Sequence, residues 1–355
     1  MKERKKLRIG ITHGDINGIG CEVILKTLND ARILELFTPV VYSSPKVIAY
    51  YRKAFGLNNL NSNTVRSADE AHDDRINVVN CLNDEVRVEM GKSTQQGGEA
   101  AVASLQAAVA DLKSNMLDAL VTAPINKYNM QSDQFRFAGH TEYLQSKFGN
   151  CKALMIMIGG SLRIGILTGH APLAEVPVLV TQEKLLTALR LINRTLLEDF
   201  NIDRPRIAVL SLNPHAGENG LLGEEEQTII IPAIEKAKTE GVLAFGPYPS
   251  DGFFGSENYR KFDVILAMYH DQGMTAFKTL CFDSGVNYTA GLPIVRTAPA
   301  HGTAYELVGT DKASSESFRQ ALYMACDIAT NRKQYRNLKA NAMNDVELKQ
   351  NANDE

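Results

Sequence analysis

Short apolar runs alternate with stretches of helical periodicity along almost the whole of this 355-residue chain. Runs of strand length and character lie at residues 7–12, 39–42, 76–80, 119–122, 153–158, 162–167, 207–211 and 264–268. Between most of them, apolar residues recur at helical spacing, most clearly over 99–114, 183–198, 224–240 and 316–329. Parallel strands cannot be joined by a tight turn, so strands separated by helices favour a parallel sheet with helices on its faces. The alternation confines the chain to an α/β architecture, and 355 residues with 44% hydrophobic content suffice for two lobes.

Charge excludes some partners. The formal net charge is −3 with both signs mixed along the chain, so neither nucleic acid nor an anionic membrane is an expected partner. The basic opening MKERKKLR is followed by too few apolar residues for a signal-peptide core or a membrane span, and the expected location is the cytoplasm. Cys21, Cys81, Cys151, Cys281 and Cys326 stand singly with no CxxC pair, and read as reduced packing residues. The polar segment 341–355 reads as a frayed end.

Chemistry concentrates late in the chain. Residues 263–302 carry two His, three Asp, a Lys, an Asn and an Arg between glycines and apolar runs. The run 264–268 delivers Tyr269, His270 and Asp271 at a strand end, where α/β proteins bind ligands. A lone His in such a place is ordinarily a hydrogen-bonded structural residue. His270 is not alone: His170 follows the run 162–167 and His215 follows 207–211. Three imidazoles from three separate loops are what an open catalytic metal site needs, although their spacing matches no local metal motif. His140 and His301 sit among Gly and Thr in settings suited to a ligand, whereas His13 and His72 look dispensable.

Two loops are candidate anion sites. The turn after the first strand has Gly14, Gly18 and Gly20, a GxxxGxG order that is neither a Rossmann loop nor a P-loop. Such a turn also serves a plain strand-to-helix connection. TAPINK (122–127) follows a strand and offers amides at an expected helix start plus Lys127; an ordinary capped turn is the alternative.

Taken in order, Gly14-Asp15 with Gly18-Ile19-Gly20, TAPINK (122–127), GHTEYL (139–144), LNPHAGENG (212–220), MYHDQG (268–273), GVN (285–287), GLPIVRT (291–297) and HGTA (301–304) closely resemble the 4-hydroxythreonine-4-phosphate dehydrogenase family of pyridoxal phosphate biosynthesis. The resemblance implies an isocitrate/isopropylmalate-dehydrogenase-like, non-Rossmann fold with two α/β lobes flanking a cleft. Residues 1–138 plus 288–355 would form a discontinuous, cofactor-binding lobe, and 139–287 the lobe with metal and substrate residues. It further implies a homodimer with a shared active site and a divalent cation (Zn, Mg or Co) on His170, His215 and His270, the residues that strand-end context also picks. Substrate positions fall on His140, Thr141, Lys278, Asn287 and Arg296. The implied reaction is NAD- or NADP-linked oxidation of 4-phosphooxy-L-threonine at C3, followed by decarboxylation to 3-amino-2-oxopropyl phosphate.

The residue types suit that chemistry. Arg296, Lys278 and Asn287 can bind anionic or polar groups of a small phosphorylated substrate, and Asp271 beside His270 can orient an imidazole or accept a proton. Lys278 is a second candidate for proton transfer. Two departures stand out: Ala300 precedes His301 where the family usually has Asp, and His13, Ile16 and Cys21 replace residues that are commonly proline. A dehydrogenase of 4-phosphorylated threonate or erythronate is a close alternative. A metal-dependent hydrolase, which needs no nicotinamide, and a silent metabolite-binding protein are alternatives of other classes.

Overall fold

Every expected strand pairs into a single sheet in the computed structural model, which describes residues 6–133 and 135–341. The expected frayed segment lies, from residue 342 on, outside the described residues. The first part of the chain forms β1 (Leu7–Thr12), α1 (Gly20–Leu28), α2 (Ile33–Leu36), β2 (Phe37–Ser43), α3 (Pro45–Ala54), β3 (Ser62–Val65), β4 (Ile76–Asn80), α4 (Gln95–Lys113) and β5 (Ala119–Thr122). It continues as α5 (His140–Lys147), β6 (Leu154–Gly159), β7 (Leu162–Ile166), α6 (Val176–Leu179), α7 (Gln182–Glu198), β8 (Arg206–Leu210), α8 (Ile231–Thr239) and β9 (Leu243–Tyr248). The last part is α9 (Ser250–Gly255), β10 (Val264–Ala267), α10 (His270–Cys281), β11 (Val286–Ala290), β12 (Arg296–Pro299) and α11 (Glu316–Ala340).

The sheet has twelve strands in the order β3-β4-β2-β1-β5-β12-β11-β6-β7-β10-β8-β9. The first six in that order are parallel, and so are the last four. Between the blocks, β12–β11, β11–β6 and β6–β7 are antiparallel, so the two parallel blocks run in opposite directions. Period-two alternation divides the packing. Ile207, Val209, Val264 and Leu266 face one core shared with Ile9, Ile11, Tyr288 and Phe318. Ala208, Leu210, Ile265 and Ala267 face another with Phe277, and Val40, Tyr42 and Leu120 a third. Helices thus cover both faces of the sheet, as an α/β chain requires.

Caps explain where helices begin. The Thr94 and Thr181 hydroxyls accept from the Gly97 and Lys184 amides, starting α4 and α7 at residues 95 and 182. The helix expected over 224–240 opens instead with a π-helical turn, Glu226–Ile230, before α8. Four strands escaped the sequence reading. β3 and β9 are the sheet's edges, the first polar and the second carrying Gly246 and Pro247. β11 and β12 carry Asn287 and Arg296, polar residues that break the apolar run. Of the expected lobe boundaries, 287/288 falls inside β11, while 138/139 falls in the loop before α5. No helix among the described residues is long and apolar enough to cross a membrane.

A buried charge cluster locks three elements together. Asp199, 2% exposed at the end of α7, accepts from the Tyr288 hydroxyl of β11 and from Arg332 Nε of α11 at 2.5 Å. Arg332 Nη2 also reaches Tyr288 Oη at 3.0 Å, and Nη1 donates to the Leu292 carbonyl at 3.2 Å. Removing one partner strands the other charge in the interior. Asp199→Ala should lower unfolding free energy in urea by about 3–5 kcal/mol, with Arg332→Ala similar and the double variant well short of their sum. A loss under about 1 kcal/mol would make the cluster a surface-like pair instead.

Candidate functional site

The chemistry-bearing residues converge where the sheet reverses direction. A cavity of about 780 Å³ is floored by β6, β11 and β12 and walled by the loops after β5, β7 and β12 and by the start of α5. Asn287 opposes Ala298, and Thr289 lies two residues on, so Asn287, Thr289, Arg296 and Ala298 share one sheet face. The same cavity receives His140, Thr141, Glu142, Lys127, His170 and His301. Four of the five expected substrate positions therefore meet with one expected metal ligand.

Arg296 is the electrostatic centre of this cavity. It is 4% exposed and donates to Thr122 Oγ1 from Nη2 at 2.6 Å and from Nε at 3.1 Å, and to Thr289 Oγ1 from Nη1 at 3.0 Å. No carboxylate among the described residues lies within ion-pair distance of it, and burial pulls its pKa down to about 10. Nη2 is 3.3 Å from His140 Nδ1; a guanidinium can only donate, so Nδ1 carries the lone pair and the ring proton belongs on Nε2. Burial first, then Arg296 and Lys127, holds His140 well below the ordinary histidine range. A buried cation with no carboxylate in direct contact, Glu142 acting on it only through space and neutral acceptors around it, is suited to receive an anion.

The three strand-end histidines leave one edge of the sheet. β7, β10 and β8 are adjacent and parallel, and His170, His270 and His215 follow their C-terminal ends. The His170 and His270 rings have centroids 5.4 Å apart at an interplanar angle of 36°. Two imidazoles on one tetrahedral ion place their centroids roughly 5 Å apart, given metal–nitrogen bonds of about 2 Å. His270 Nδ1 lies 2.7 Å from Asp271 Oδ1, the orienting contact that leaves Nε2 free to bind. Burial, Lys127 and His270 together lower the His170 pKa and favour its neutral, ligating form. Two of the three expected donors, His170 and His270, are therefore disposed as a pair of ligands to one divalent cation.

His215 is placed differently. It opens a run, His215–Asn219, whose φ angles of 50°, 53°, 76°, 43° and 57° are all left-handed. Such backbone costs about 1–2 kcal/mol per non-glycine residue, so the surroundings must impose it. Among the described residues of one chain, no group of three His, Cys, Asp or Glu is gathered closely enough to hold a metal. Lys278, expected at the substrate, is exposed in the last turn of α10 and does not line the cavity. Eight residues of helix separate it from His270, about 12 Å along the axis.

The glycine turn is pinned from several sides. A Cβ on Gly14, at φ +69°, would sit 2.1 Å from the Pro124 carbonyl. Asp15 Oδ2 accepts from Asn129 Nδ2 at 2.8 Å and from Tyr305 Oη at 2.6 Å, joining the turn to the loops after β5 and β12. His13 is not dispensable in this setting: it is fully buried, its Nδ1 is 2.7 Å from the Gly14 carbonyl, and burial pulls its pKa down to about 4. The helix start expected behind TAPINK is absent; residues 123–126 are irregular and lead into a turn, yet Lys127 does line the cavity. His301 lines it too, with Nε2 buried and unpartnered. Ala300, where Asp is usual, packs against the apolar cluster of Phe277 and Cys281. Burial raises the Cys21 and Cys81 thiols to about 12, consistent with packing roles.

Sequence reasoning missed Thr122, Thr289 and Glu142. Thr122 stood at the head of TAPINK and Thr289 lay in the unrecognised β11, and neither residue type announces that it holds a guanidinium. Glu142 lay in plain view within GHTEYL.

The chain is similar to several known proteins. Residues 35–325 match the family model of the pyridoxal phosphate biosynthetic protein PdxA. A 4-hydroxythreonine-4-phosphate dehydrogenase of Bacteroides thetaiotaomicron is 51% identical over 342 residues, 96% of this chain and 94% of that protein. One from Aquifex aeolicus is 41% identical over 321 residues, covering 90% and 98%. The crystal structure of the Klebsiella pneumoniae 4-hydroxythreonine-4-phosphate dehydrogenase superposes with a TM-score of 0.78 at 33% identity, covering 92% of this chain and all of that one.

The buried Arg296 guanidinium sets an expectation for anions. Titration calorimetry with inorganic phosphate should show binding that Arg296→Met weakens by about tenfold to a hundredfold, the worth of one charged donor. Equal affinity in the variant would mean that the cavity's anion site lies elsewhere.

Proposed function

The chain belongs to the family of the pyridoxal phosphate biosynthetic protein PdxA, and from that premise we propose that it oxidises 4-phosphooxy-L-threonine at C3 with NAD or NADP, and that the β-keto acid then loses CO2. Its class is therefore oxidoreductase. The observation that carries the finer reading is a buried Arg296, with no carboxylate in ion-pair contact, in one cavity with a neutral His140 and the His170 ring.

In this reading Arg296, steadied by Thr122 and Thr289, grips an anionic group of the substrate, and Asn287 and Thr141 meet its polar edge. Holding the substrate against one wall orients the C3–H bond for departure as hydride to nicotinamide while the hydroxyl proton passes to Lys278. Nicotinamide supplies the hydride acceptor. A divalent cation held by His170, His215 and His270 supplies Lewis-acid stabilisation of the developing negative charge, in oxidation and again in decarboxylation. Asp271 keeps the His270 ring turned to present Nε2. Lys278 is the proposed donor that returns a proton after CO2 leaves, giving 3-amino-2-oxopropyl phosphate.

Lys278, His215 and His270 do not line the cavity of their own chain, which supports a homodimer whose active site is shared. Large apolar side chains support it as well. Leu173 and Val178 follow His170, Leu221 and Leu222 follow His215, and Leu280 and Phe282 follow His270, all exposed. In the proposed division of labour, residues 1–138 with 288–355 hold the cofactor and 139–287 supply most metal and substrate groups. Unpaired cysteines support a reducing, cytoplasmic location.

Absorbance at the reduced-nicotinamide band tests the reading, using cation-loaded protein, 4-phosphooxy-L-threonine and each cofactor in turn. Cation-dependent reduction, abolished by His215→Ala, is the expected result. Reduction only with phosphorylated threonate or erythronate would reassign the substrate, and none with any of the three would overturn the dehydrogenase reading for this chain.

A further inference from the structure

We infer that Glu226, which lies outside the cavity, is the positioning residue that aims His215. The inference rests on the proposal that His215 is a metal ligand. Five consecutive left-handed residues, four of them not glycine, persist only where neighbouring groups over-determine the backbone. Glu226 is the group that does so. Its side chain is fully buried, Oε1 accepts the amides of Leu212 and Asn213 at 2.8 Å each, and Oε2 accepts from Asn213 Nδ2 at 2.9 Å. One carboxylate thus fixes both residues that lead into Pro214 and His215. It also lies against the turn itself, because a Cβ on Gly217 would sit 2.7 Å from Glu226 Oε2.

Local structure delivers this carboxylate and links it to the second histidine. Glu226 is the first residue of the π-helical turn ahead of α8, a rare backbone form that re-aims side chains relative to the helix it interrupts. Immediately before the fixed amides, the Ser211 carbonyl accepts from Gln272 Nε2 at 2.6 Å, while Gln272 Oε1 accepts the Met268 amide at 2.8 Å. Gln272 lies two residues beyond His270, so the loop bearing His215 is tied to the strand end bearing His270. Glu226 supplies the rigid side of that tie without touching substrate or cation.

Co2+ binding to metal-free protein, followed by its visible absorption, reads this role apart from turnover. Glu226→Ala should weaken Co2+ binding by about 10–100-fold, as loss of a ligand-orienting group does. Glu226→Gln, which keeps an acceptor for the two backbone amides, should recover part of that loss. The double variant Glu226→Ala with His215→Ala should bind no more weakly than His215→Ala alone, because Glu226 acts through His215. If His215→Ala binds Co2+ like the unmodified chain, the metal reading falls and the role of Glu226 with it. If His215→Ala weakens binding while Glu226→Ala does not, or if the two losses add, the metal reading stands and the positioning role is overturned. Should Glu226→Ala fail to fold, Glu226→Asp, which keeps the charge but withdraws the carboxylate from the Leu212 and Asn213 amides, makes the same comparison.

Discussion

Strand direction is the constraint on which the rest of this molecule depends. Because β7, β10 and β8 are neighbours and parallel, their C-terminal ends lie along one edge, and each is followed within a few residues by a histidine. Because β11 and β6 reverse the sheet between its two parallel blocks, loops from both blocks reach the polar face of the central strands. A uniformly parallel sheet would place all its C-terminal loops on one edge and leave Asn287 and Arg296 beneath helices. The reversal opens the floor of the cavity.

Electrostatics then assigns tasks within that geometry. Arg296 is desolvated with no carboxylate in direct contact, Glu142 acting only through space, so much of its charge is available to a ligand. The contrast with Arg332 is instructive: that guanidinium is also largely buried, but Asp199 and Tyr288 satisfy it, and it holds α7, β11 and α11 together. Burial and nearby cations keep His140 and His170 neutral, the state in which imidazole accepts a hydrogen bond or binds a cation.

Much of this was legible in the amino-acid order. Apolar runs marked the parallel strands because strands covered on both faces are continuously apolar, and strand-end context alone brought His170 and His270 into one frame before their 5.4 Å ring separation was known. The central antiparallel strands were not legible, because the residues that make them functional, Asn287 and Arg296, disrupt the pattern by which strands are recognised. His13 was misjudged for a related reason: nothing local distinguishes an exposed histidine from one enclosed by Gly14 and Ser104. The left-handed turn at His215 was equally hidden, since four of its five residues are not glycine and the carboxylate that imposes it lies beyond the turn.

The central claim is that three histidines, each following one of three adjacent parallel strands, share a cation beside the Arg296 anion receptor. A crystal structure of Co2+-loaded protein, with data collected at the cobalt absorption edge, tests it most directly. The account predicts one anomalous peak bonded by His170, His270 and a His215 side chain, at the mouth of the Arg296 cavity. A peak on other residues, or one at which His170 and His270 diverge, would contradict it.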